Sequence, residues 1–562
     1  MYTRITKSGP RRYLQLVRGY RDAAGKAKQK VVANLGRIDQ LQAEDLEALI
    51  NGLQRAVGRP ESIPDAPRFE PARAFGDVWA LHQLWQELGL AQALRRALRS
   101  SRRQFDAEAL IRAMVFNRLT APSSKLGMLE WLREETSVPE LDTGSIHHEQ
   151  LLRAMDTLMD RHEAVERAVA QQLRPLIDTE LSVIFYDVTT VRVHGGGSVD
   201  GDLRDYGLSK DVHGVARQFA LGVVQTADGL PIAHEVFEGN VAETRTLAPM
   251  IERLLTRFDL ERVVVVADRG LLSLDNVDTL EALGKEQGLR VDYILAVPGR
   301  RYSEFTSLMA QLHPGLATQA ERTGTEVVSE AVWQGRRLVV AHNAERAVEQ
   351  SAARRQTIER LDTLGERLAR RLDDQDAGQP GRGRRSSDRS AYKRFHKAVL
   401  ETRMSSIVKA DLGSERFSYA IDEQAWAAAE RLDGKLLLVT SLDELQAEEI
   451  VERYRALADI ERGFRVLKSE IDIAPVYHRL PVRIRAHALI CFLALVLHRV
   501  LRRRLKAAGS DTSPERLLRS LRKIQRHTVH IAGRAHEGVT HPSAEQLELF
   551  STVGIDAPRA PC

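Results

Sequence analysis

Two short apolar runs, each followed by an acidic residue, are the clearest pattern along the chain. Leu181-Ser-Val-Ile-Phe-Tyr-Asp187 and Val263-Val-Val-Val-Ala-Asp268 have the length and composition of buried strands. The pattern predicts that each strand ends in its carboxylate. Strand ends are rigid and can be neighbours in one sheet. We therefore expect Asp187 and Asp268 to lie close together.

A third acid lies in a later segment with helical periodicity. The segment from about Glu448 to Ile471 predicts one helix, because apolar residues recur on one stripe. Tyr454, Glu461 and Lys468 are spaced by seven and fall on that same stripe. An ionised pair facing a core is costly unless something compensates it. A metal ion for Glu461 and a phosphate for Lys468 would do so; a surface pair at the edge of the stripe is the alternative.

The wider pattern divides the chain into six regions and predicts an α/β protein. Alternation within 12–38 predicts two strands, followed by a helix over about 40–57 and a linker at 60–67. Strands mixed with helices then predict a mixed sheet flanked by helices. The expected regions are 1–73 (β unit, short helix and linker), 74–177 (helical, a DNA-binding domain or a packing scaffold), 178–298 (core, first part), 299–436 (insertion), 437–508 (core, second part) and 509–562 (C-terminal helix over 513–527, a strand and a loose tail).

Charge and composition add the expected setting. The chain has 562 residues, and its 82 Lys and Arg against 77 Asp and Glu give a net charge of +5. Basic clusters at 382–385, 499–506 and 516–526 favour a nucleic-acid partner only when taken together. Two cysteines form neither a metal spacing nor a disulfide framework, which fits a reducing cytoplasm. The most apolar stretch, 486–501, is too short to span a bilayer and predicts a core helix.

Three carboxylates could hold two divalent cations for phosphodiester cleavage. In such a reaction, charge develops on the attacking and leaving oxygens, and paired metals stabilise both. Hard oxygen ligands of this kind suit Mg²⁺. The alternative for Asp187 and Asp268 is that each carboxylate caps the turn that follows its strand.

Together these motifs resemble those of DDE-type insertion-sequence transposases. Phe-Tyr-Asp187-Val-Thr-Thr and Ala-Asp268-Arg-Gly match the first two acidic motifs of that class, and Tyr454, Glu461 and Lys468 match a Tyr-x2-Arg-x3-Glu-x6-Lys signature. The position of the signature arginine is Leu457, so a role for that arginine is not carried over. The resemblance implies an RNase H-like core that an insertion interrupts before the glutamate.

The resemblance also implies roles for individual residues. Asp187, Asp268 and Glu461 would be the catalytic residues that hold Mg²⁺, or Mn²⁺ in its place. Tyr454 and Lys468 would contact the DNA backbone, and Arg269 and Asn240 would contact DNA or support the metal ligands, although a turn residue is the favoured interpretation of Asn240. Apart from the resemblance, the loop from His194 to Lys210 could bring Lys210 to DNA; a flexible hairpin is the favoured alternative.

The expected partners are transposon-end DNA with terminal inverted repeats and target DNA. A homodimer on DNA follows from the need to bring two ends together. Two alternatives remain open: a metal-dependent RNase H-like nuclease without strand transfer, and a non-catalytic DNA-binding protein derived from a transposase.

Overall fold

A computed structural model describes most of the chain. It covers residues 1–59, 67–99, 105–177, 183–208, 214–242, 245–258, 262–267, 274–287, 290–379, 385–456, 458–531 and 534–559.

The N-terminal unit is an antiparallel sheet followed by one helix. Its elements are β1 (Tyr2–Ser8), β2 (Arg11–Arg21), β3 (Ala27–Arg37) and α1 (Ala43–Ala56). Both predicted strands and the helix are confirmed. The sequence analysis missed β1, whose mostly polar residues are ordered by pairing with β2 from Tyr2 opposite Val17 to Ser8 opposite Arg11. The predicted linker lies outside the described residues except for Pro67.

A helical region follows, as predicted. It opens with two short strands and continues as six α-helices in the described residues: β4 (Arg68–Phe69), β5 (Arg73–Ala74), α2 (Gly76–Glu87), α3 (Leu90–Ala97), α4 (Ala107–Thr120), α5 (Lys125–Glu130), α6 (His148–Asp160) and α7 (His162–Leu173). Apolar side chains of these helices, among them Trp85, Phe116 and Trp131, are almost completely buried.

The rest of the chain contains strands and helices in alternation. The first group is β6 (Val183–Arg192), β7 (Asp205–Leu208), β8 (Val215–Thr226), β9 (Pro231–Glu238), α8 (Leu247–Arg257), β10 (Arg262–Ala267), α9 (Leu274–Gln287), β11 (Arg290–Ala296), α10 (Thr306–Thr323), β12 (Val327–Trp333) and β13 (Arg336–His342). The second group is α11 (Ala344–Asp376), α12 (Asp388–Glu401), β14 (Val408–Asp411), β15 (Ser418–Ile421), α13 (Glu423–Glu430), β16 (Lys435–Thr440), α14 (Ala447–Arg455), α15 (Ala458–Ser469), α16 (Pro481–Ala507), α17 (Pro514–Leu521), β17 (Gln525–Ile531), β18 (Arg534–Val539) and α18 (Ala544–Thr552).

A central mixed sheet organises this part of the molecule. Nine of the described strands form it, in the order β12-β13-β16-β11-β10-β6-β8, with β7 and β9 both paired to β8. Strand β10 is parallel to β6 and to β11, and the other pairs are antiparallel. The mixed sheet flanked by helices is confirmed. Strands β12 and β13, from the segment predicted as an insertion, extend this sheet at one edge.

The two faces of the sheet bury different side chains. Ile184, Tyr186 and Val188 of β6 belong to the large core that also contains α16. Phe185 faces the opposite side, where a smaller core includes Ile450 of α14. Helix α16 is long and apolar enough to cross a membrane, but 94% of its most apolar 18-residue stretch is buried inside the protein. It is the predicted core helix.

The segment between β13 and β16 builds a core of its own. Ile358 and Leu361 of α11 pack with Phe395 of α12 and with Phe417, next to β15. Tyr419 of β15 donates a hydrogen bond to the Asp362 carboxylate at 2.7 Å and so ties the small β14–β15 hairpin to α11.

The C-terminal prediction was wrong in two respects. The helix ends at Leu521, and Gln525 already begins β17, which pairs with β18 and with the distant strands β4 and β5. The expected loose tail contains α18, whose Phe550 is 1% exposed. Both differences arise from partners far away in sequence, which a local pattern does not reveal.

Candidate active site

Asp187 lies within β6 and not at its end, contrary to the sequence prediction. The strand continues to Arg192, because Val188, Thr189 and Val191 are β-branched, buried and paired with β8. A turn-capping role for Asp187 is thereby excluded. Its half-buried carboxylate accepts a hydrogen bond from the Val188 backbone N–H at 2.7 Å. By strand alternation Asp187 shares the sheet face of Phe185.

Strand β10 supports Asp187 from one side. The two strands are parallel, and their described pairing runs from Val264 opposite Val183 to Ala267 opposite Tyr186. Val264 and Val266 lie on the face that Phe185 occupies. The next two residues, Asp268 and Arg269, lie outside the described residues.

The segment with Tyr454 and Glu461 forms two helices, not the single predicted one. Helix α14 ends at Arg455 and α15 begins at Ala458. The two helices bury apolar residues in different cores, since Ile450 packs on the Phe185 face while Phe464 and Leu467 join the large core. Because α14 and α15 are separate helices, the spacing by seven between Tyr454 and Glu461 does not imply that they share one helix face.

Tyr454 is in the right place for a role beside Asp187. Its ring is half-buried against the small core that contains Phe185. Helix α14 also packs across β10 and β11. Tyr454 and Asp187 therefore belong to the same side of the sheet.

Helix α15, which carries Glu461 and Lys468, packs against β6 and α16. Gly463 permits this packing, because a Cβ atom there would lie 2.7 Å from Nε2 of Gln225 and 3.0 Å from a guanidinium nitrogen of Arg499. The backbone of Glu461 is two residues away on this helix; its side chain lies outside the described residues. Lys468 is half-buried in the last turn.

The end of α15 is attached to α16 by a polar contact. His498, 4% exposed, lies with Nε2 3.0 Å from the Glu470 carboxylate. The hydrogen bond from His498 lowers the pKa of Glu470, against the opposing effect of burial. Sequence reasoning missed Gly463, Gln225 and this pair. The only local signal was a glycine inside a helix, a residue that often marks close packing.

Comparison with known proteins now gives the family. A model described as the transposase DDE domain matches residues 178–497, which is more than half of the chain. The chain belongs to the DDE transposase family. A second model, the N-terminal domain of IS1634 family transposases, matches residues 2–66. None of the curated proteins compared is similar to this chain.

Membership of the DDE family confirms the expected RNase H-like fold for the central sheet. It also gives the protein a DNA-directed function in transposition. The residues that match the family's motifs are partly placed: Asp187, Tyr454 and Lys468 have described side chains, Glu461 has a described backbone, and Asp268 and Arg269 lie outside the described residues. Leu457, where the signature has arginine, and the loop residue Lys210 also lie outside the described residues.

Several basic residues, beside Tyr454 and in two of the clusters that favoured DNA, have acidic protein partners in this transposase. Arg453 pairs with Glu449 at 2.8 Å, and Arg455 pairs with Glu326. In the cluster at 499–506, Arg503 contacts Asp228 at 2.8 Å and Arg504 contacts Glu87. In the cluster at 516–526, the partners are again acidic: Arg519 with Glu515, Arg522 with Glu135, and Arg526 with Glu537.

Asn240 also has a structural role. Its amide donates to the Asp205 carboxylate at 2.5 Å, and this contact connects the end of β9 to β7. The turn interpretation therefore accounts for Asn240.

DDE transposases generally use divalent metals. Among the described residues, no group of three or more His, Cys, Asp and Glu could hold a metal ion. Of the three expected ligands, only Asp187 has a described side chain. Its oxygen donor chemistry fits a hard cation such as Mg²⁺.

Proposed function

We propose that the protein cuts DNA at the ends of its own transposon and joins the freed 3′-hydroxyls to target DNA, with Asp187, Asp268 and Glu461 as catalytic carboxylates. One observation carries the proposal. Strand β6, which contains Asp187, lies beside β10, the strand that leads to Asp268. Helix α15, which contains Glu461, also packs against β6. Three acids that are far apart in sequence thus come from adjoining elements.

Chain connectivity supports the inclusion of Asp268. Consecutive Cα atoms are about 3.8 Å apart, so Asp268 is one such step beyond Ala267. Ala267 pairs with Tyr186, the neighbour of Asp187. Val264 and Val266, which precede Asp268 in the chain, lie on the sheet face that Asp187 shares.

We propose that the three carboxylates hold Mg²⁺, or Mn²⁺ in its place. When bound, such a pair of cations stabilises charge on the attacking and leaving oxygens of the phosphodiester. A rigid sheet and a tightly packed α15 would give such carboxylates the fixed positions that a preorganised site requires.

The reaction balances in two steps. Water attacks the phosphorus at the transposon end, the bond to O3′ breaks, and the leaving oxygen takes a proton to become a 3′-hydroxyl. That hydroxyl then attacks a target phosphodiester, forms a new P–O bond, and releases a target 3′-hydroxyl. We propose that Tyr454 and Lys468 contact the DNA backbone during these steps, with Arg269 and Lys210 as further contacts.

The proposed partners follow from the reaction. Transposon-end DNA with inverted repeats and target DNA are the substrates, and a homodimer on DNA would hold two ends together. The N-terminal unit is the proposed source of end recognition: residues 1–37 contain ten Lys and Arg and a single acid, Asp22. A nucleoid-associated location in a prokaryotic cytoplasm fits these partners.

An excision and integration assay tests the proposal. The donor carries the native DNA that flanks the gene, and the variants are Asp187→Asn, Asp268→Asn and Glu461→Gln, each nearly isosteric. We expect each variant to lose cleavage and joining by at least about 10³-fold, as removal of an essential charged group does, while DNA binding stays within about threefold of wild type. Asp278→Asn, at an exposed acid that pairs with Arg336, is the matched control.

The outcomes separate the alternatives. Joined products from wild type and from the control establish the transposase reaction. Cleavage without joining favours a nuclease. Binding without chemistry in Mg²⁺ and in Mn²⁺ favours a DNA-binding protein. Near-normal activity of one variant removes that residue from the proposed site.

A further inference from the structure

A large cavity lies where the helical region meets the core, away from the candidate active site. It has a volume of about 950 Å³ and is bounded by the turn between α4 and α5, the segment 472–480 after α15, and the start of α16. The chain just after β6 reaches this lining, since the His194 backbone N–H donates to the carbonyl of the lining residue Val476 at 2.8 Å. The volume is that of a typical ligand pocket.

Two buried cations line this cavity without an acidic partner. Lys125 is 7% exposed, and no described residue forms a hydrogen bond or ion pair with its ammonium group. Arg118 is 4% exposed, and its described hydrogen bonds go to neutral oxygens: the Asp472 carbonyl at 3.1 Å, the Ser123 carbonyl and the Asn117 amide oxygen. Buried charges are normally paired, so this arrangement is costly in the protein alone.

With the other charged groups around the cavity included, its net charge remains positive. Arg483 is neutralised by a bidentate pair with Asp156 at 2.8 and 2.9 Å. The exposed Arg479 adds a cation at the rim, and the carboxylate of the exposed Asp472 adds the one acid among the lining residues.

His478 and His487, two of the histidines that line the cavity, do not add to its positive charge. Burial lowers the pKa of His478 to about 4 and that of His487 well below its usual range, so both rings are neutral at pH 7. Below about pH 7, where Lys125 is also protonated, the cavity thus offers an anion two buried positive charges that no described carboxylate pairs with.

We propose that this cavity binds a phosphodiester group of the DNA strand, with Lys125 and Arg118 as its cationic ligands. The inference rests on the proposed function for its choice of DNA as the source of the phosphate. Tyr477, exposed at the rim and stacked on His194 with 5.3 Å between the ring centres, adds an aromatic surface of the kind that nucleic acids contact.

The position along β6 fits a DNA contact outside the active site. Val193 forms a β-bridge with Val476, which lines the cavity, and is six residues beyond Asp187. Six residues correspond to roughly 20 Å along a strand. A DNA duplex rises about 3.4 Å per base pair. DNA that follows β6 from Asp187 would bring a phosphate to the cavity about six base pairs from the cut.

The test compares Lys125→Met with wild type in DNA binding. Methionine keeps the length of the side chain and removes the charge. Affinity for a native transposon-end duplex is measured by fluorescence anisotropy across a salt series, in EDTA so that cleavage is absent. We expect Kd to rise about tenfold, since a hydrogen bond to a charged group contributes about that much. The slope of log K against log salt should fall by about 0.9, the effect of one lost phosphate contact.

Controls make the result specific to this site. Lys285→Met removes an exposed lysine from α9 and should change neither quantity. Arg479→Gln, at the rim, should give a smaller change in slope and provides a second variant of the same surface. Thermal melting confirms that each variant is folded.

A further arm distinguishes DNA from free phosphate. If inorganic phosphate raises the Tm of wild type but not of Lys125→Met, while DNA binding is the same for both, the assignment to DNA is overturned in favour of a small phosphate compound. An unchanged Kd and slope for Lys125→Met, with no effect of phosphate, overturns the site itself. DNA binding through Lys125 by a protein that cleaves nothing would overturn only the proposed function.

Discussion

The ammonium group of Lys125 illustrates how burial without a partner changes a single residue. Burial and, after it, the nearby Arg118 lower the pKa of Lys125 to about 7, while the Cys491 thiol acts in the opposite sense. In the unfolded chain the pKa of Lys125 is near 10.5. Below pH 7 the folded protein therefore carries the full cost of the buried charge. As the pH rises from about 7 to 10.5, that cost disappears and stability increases.

We expect Lys125→Met to be more stable than wild type at low pH. At pH 6 its Tm should be higher by at least about 2 °C, the shift that about 1 kcal/mol produces in a domain of 150 residues or more. The difference should shrink between pH 7 and pH 9. Thermal melts across this range, with Lys285→Met as the control, give the measurement. A lower Tm for Lys125→Met at pH 6 would mean that the lysine makes a stabilising contact.

At the scale of elements, the candidate site depends on how closely α15 approaches the sheet. Gly463 is the closest point, and the side chain that it faces, Gln225, is completely buried. Neither amide atom of Gln225 has a hydrogen-bond partner among the described residues. Any atom added at Gly463 must displace α15 or Gln225, and Glu461 would move with the helix.

We expect Gly463→Ala to reduce both stability and cleavage. Overpacking of this kind costs about 1–3 kcal/mol, and displacement of a catalytic group by about 1 Å can reduce the rate about 100-fold. Single-turnover cleavage and thermal melting measure the two effects.

The double variant Gly463→Ala/Gln225→Ala is the control for this prediction, because it restores the missing space. It should recover most of the cleavage rate. A Gly463→Ala protein that cleaves at the wild-type rate would show that the approach of α15 does not position Glu461.

At the scale of the whole molecule, the N-terminal unit and the core have separate interiors. Strands β1, β2 and β3 pair only with one another, and the residues that follow α1 lead through 60–66 to the helical region. The C-terminal hairpin is different, since β17 pairs with β4 and β5 and so joins the chain's last part to the start of the helical region.

We expect a variant that lacks residues 1–66 to keep the core folded and to lose affinity for DNA. Its main thermal transition should stay within about 3 °C of wild type, roughly the effect of 1 kcal/mol in a large domain. The salt dependence of its DNA binding should weaken, because twelve Lys and Arg side chains are removed with residues 1–66. Removal of residues 522–562 is the contrasting control and should lower the Tm strongly, because it removes β17 and the buried Phe550. Unchanged DNA affinity without residues 1–66 would contradict the recognition role.

The sequence alone determined the main elements and the motif residues. The apolar runs before Asp187 and Asp268 predicted the strands β6 and β10, and the long apolar stretch predicted α16, because burial and periodicity are properties of local sequence. The match of Tyr454, Glu461 and Lys468 to a known signature pointed to the family. Only the tertiary structure decided that β6 continues past Asp187, that two helices replace one, and that Gly463 brings α15 against the sheet. It also paired arginines of two basic clusters with acids and left Lys125 and Arg118 together in one cavity. These features depend on contacts between residues far apart in sequence, and no local pattern encodes which distant side chain will be the partner.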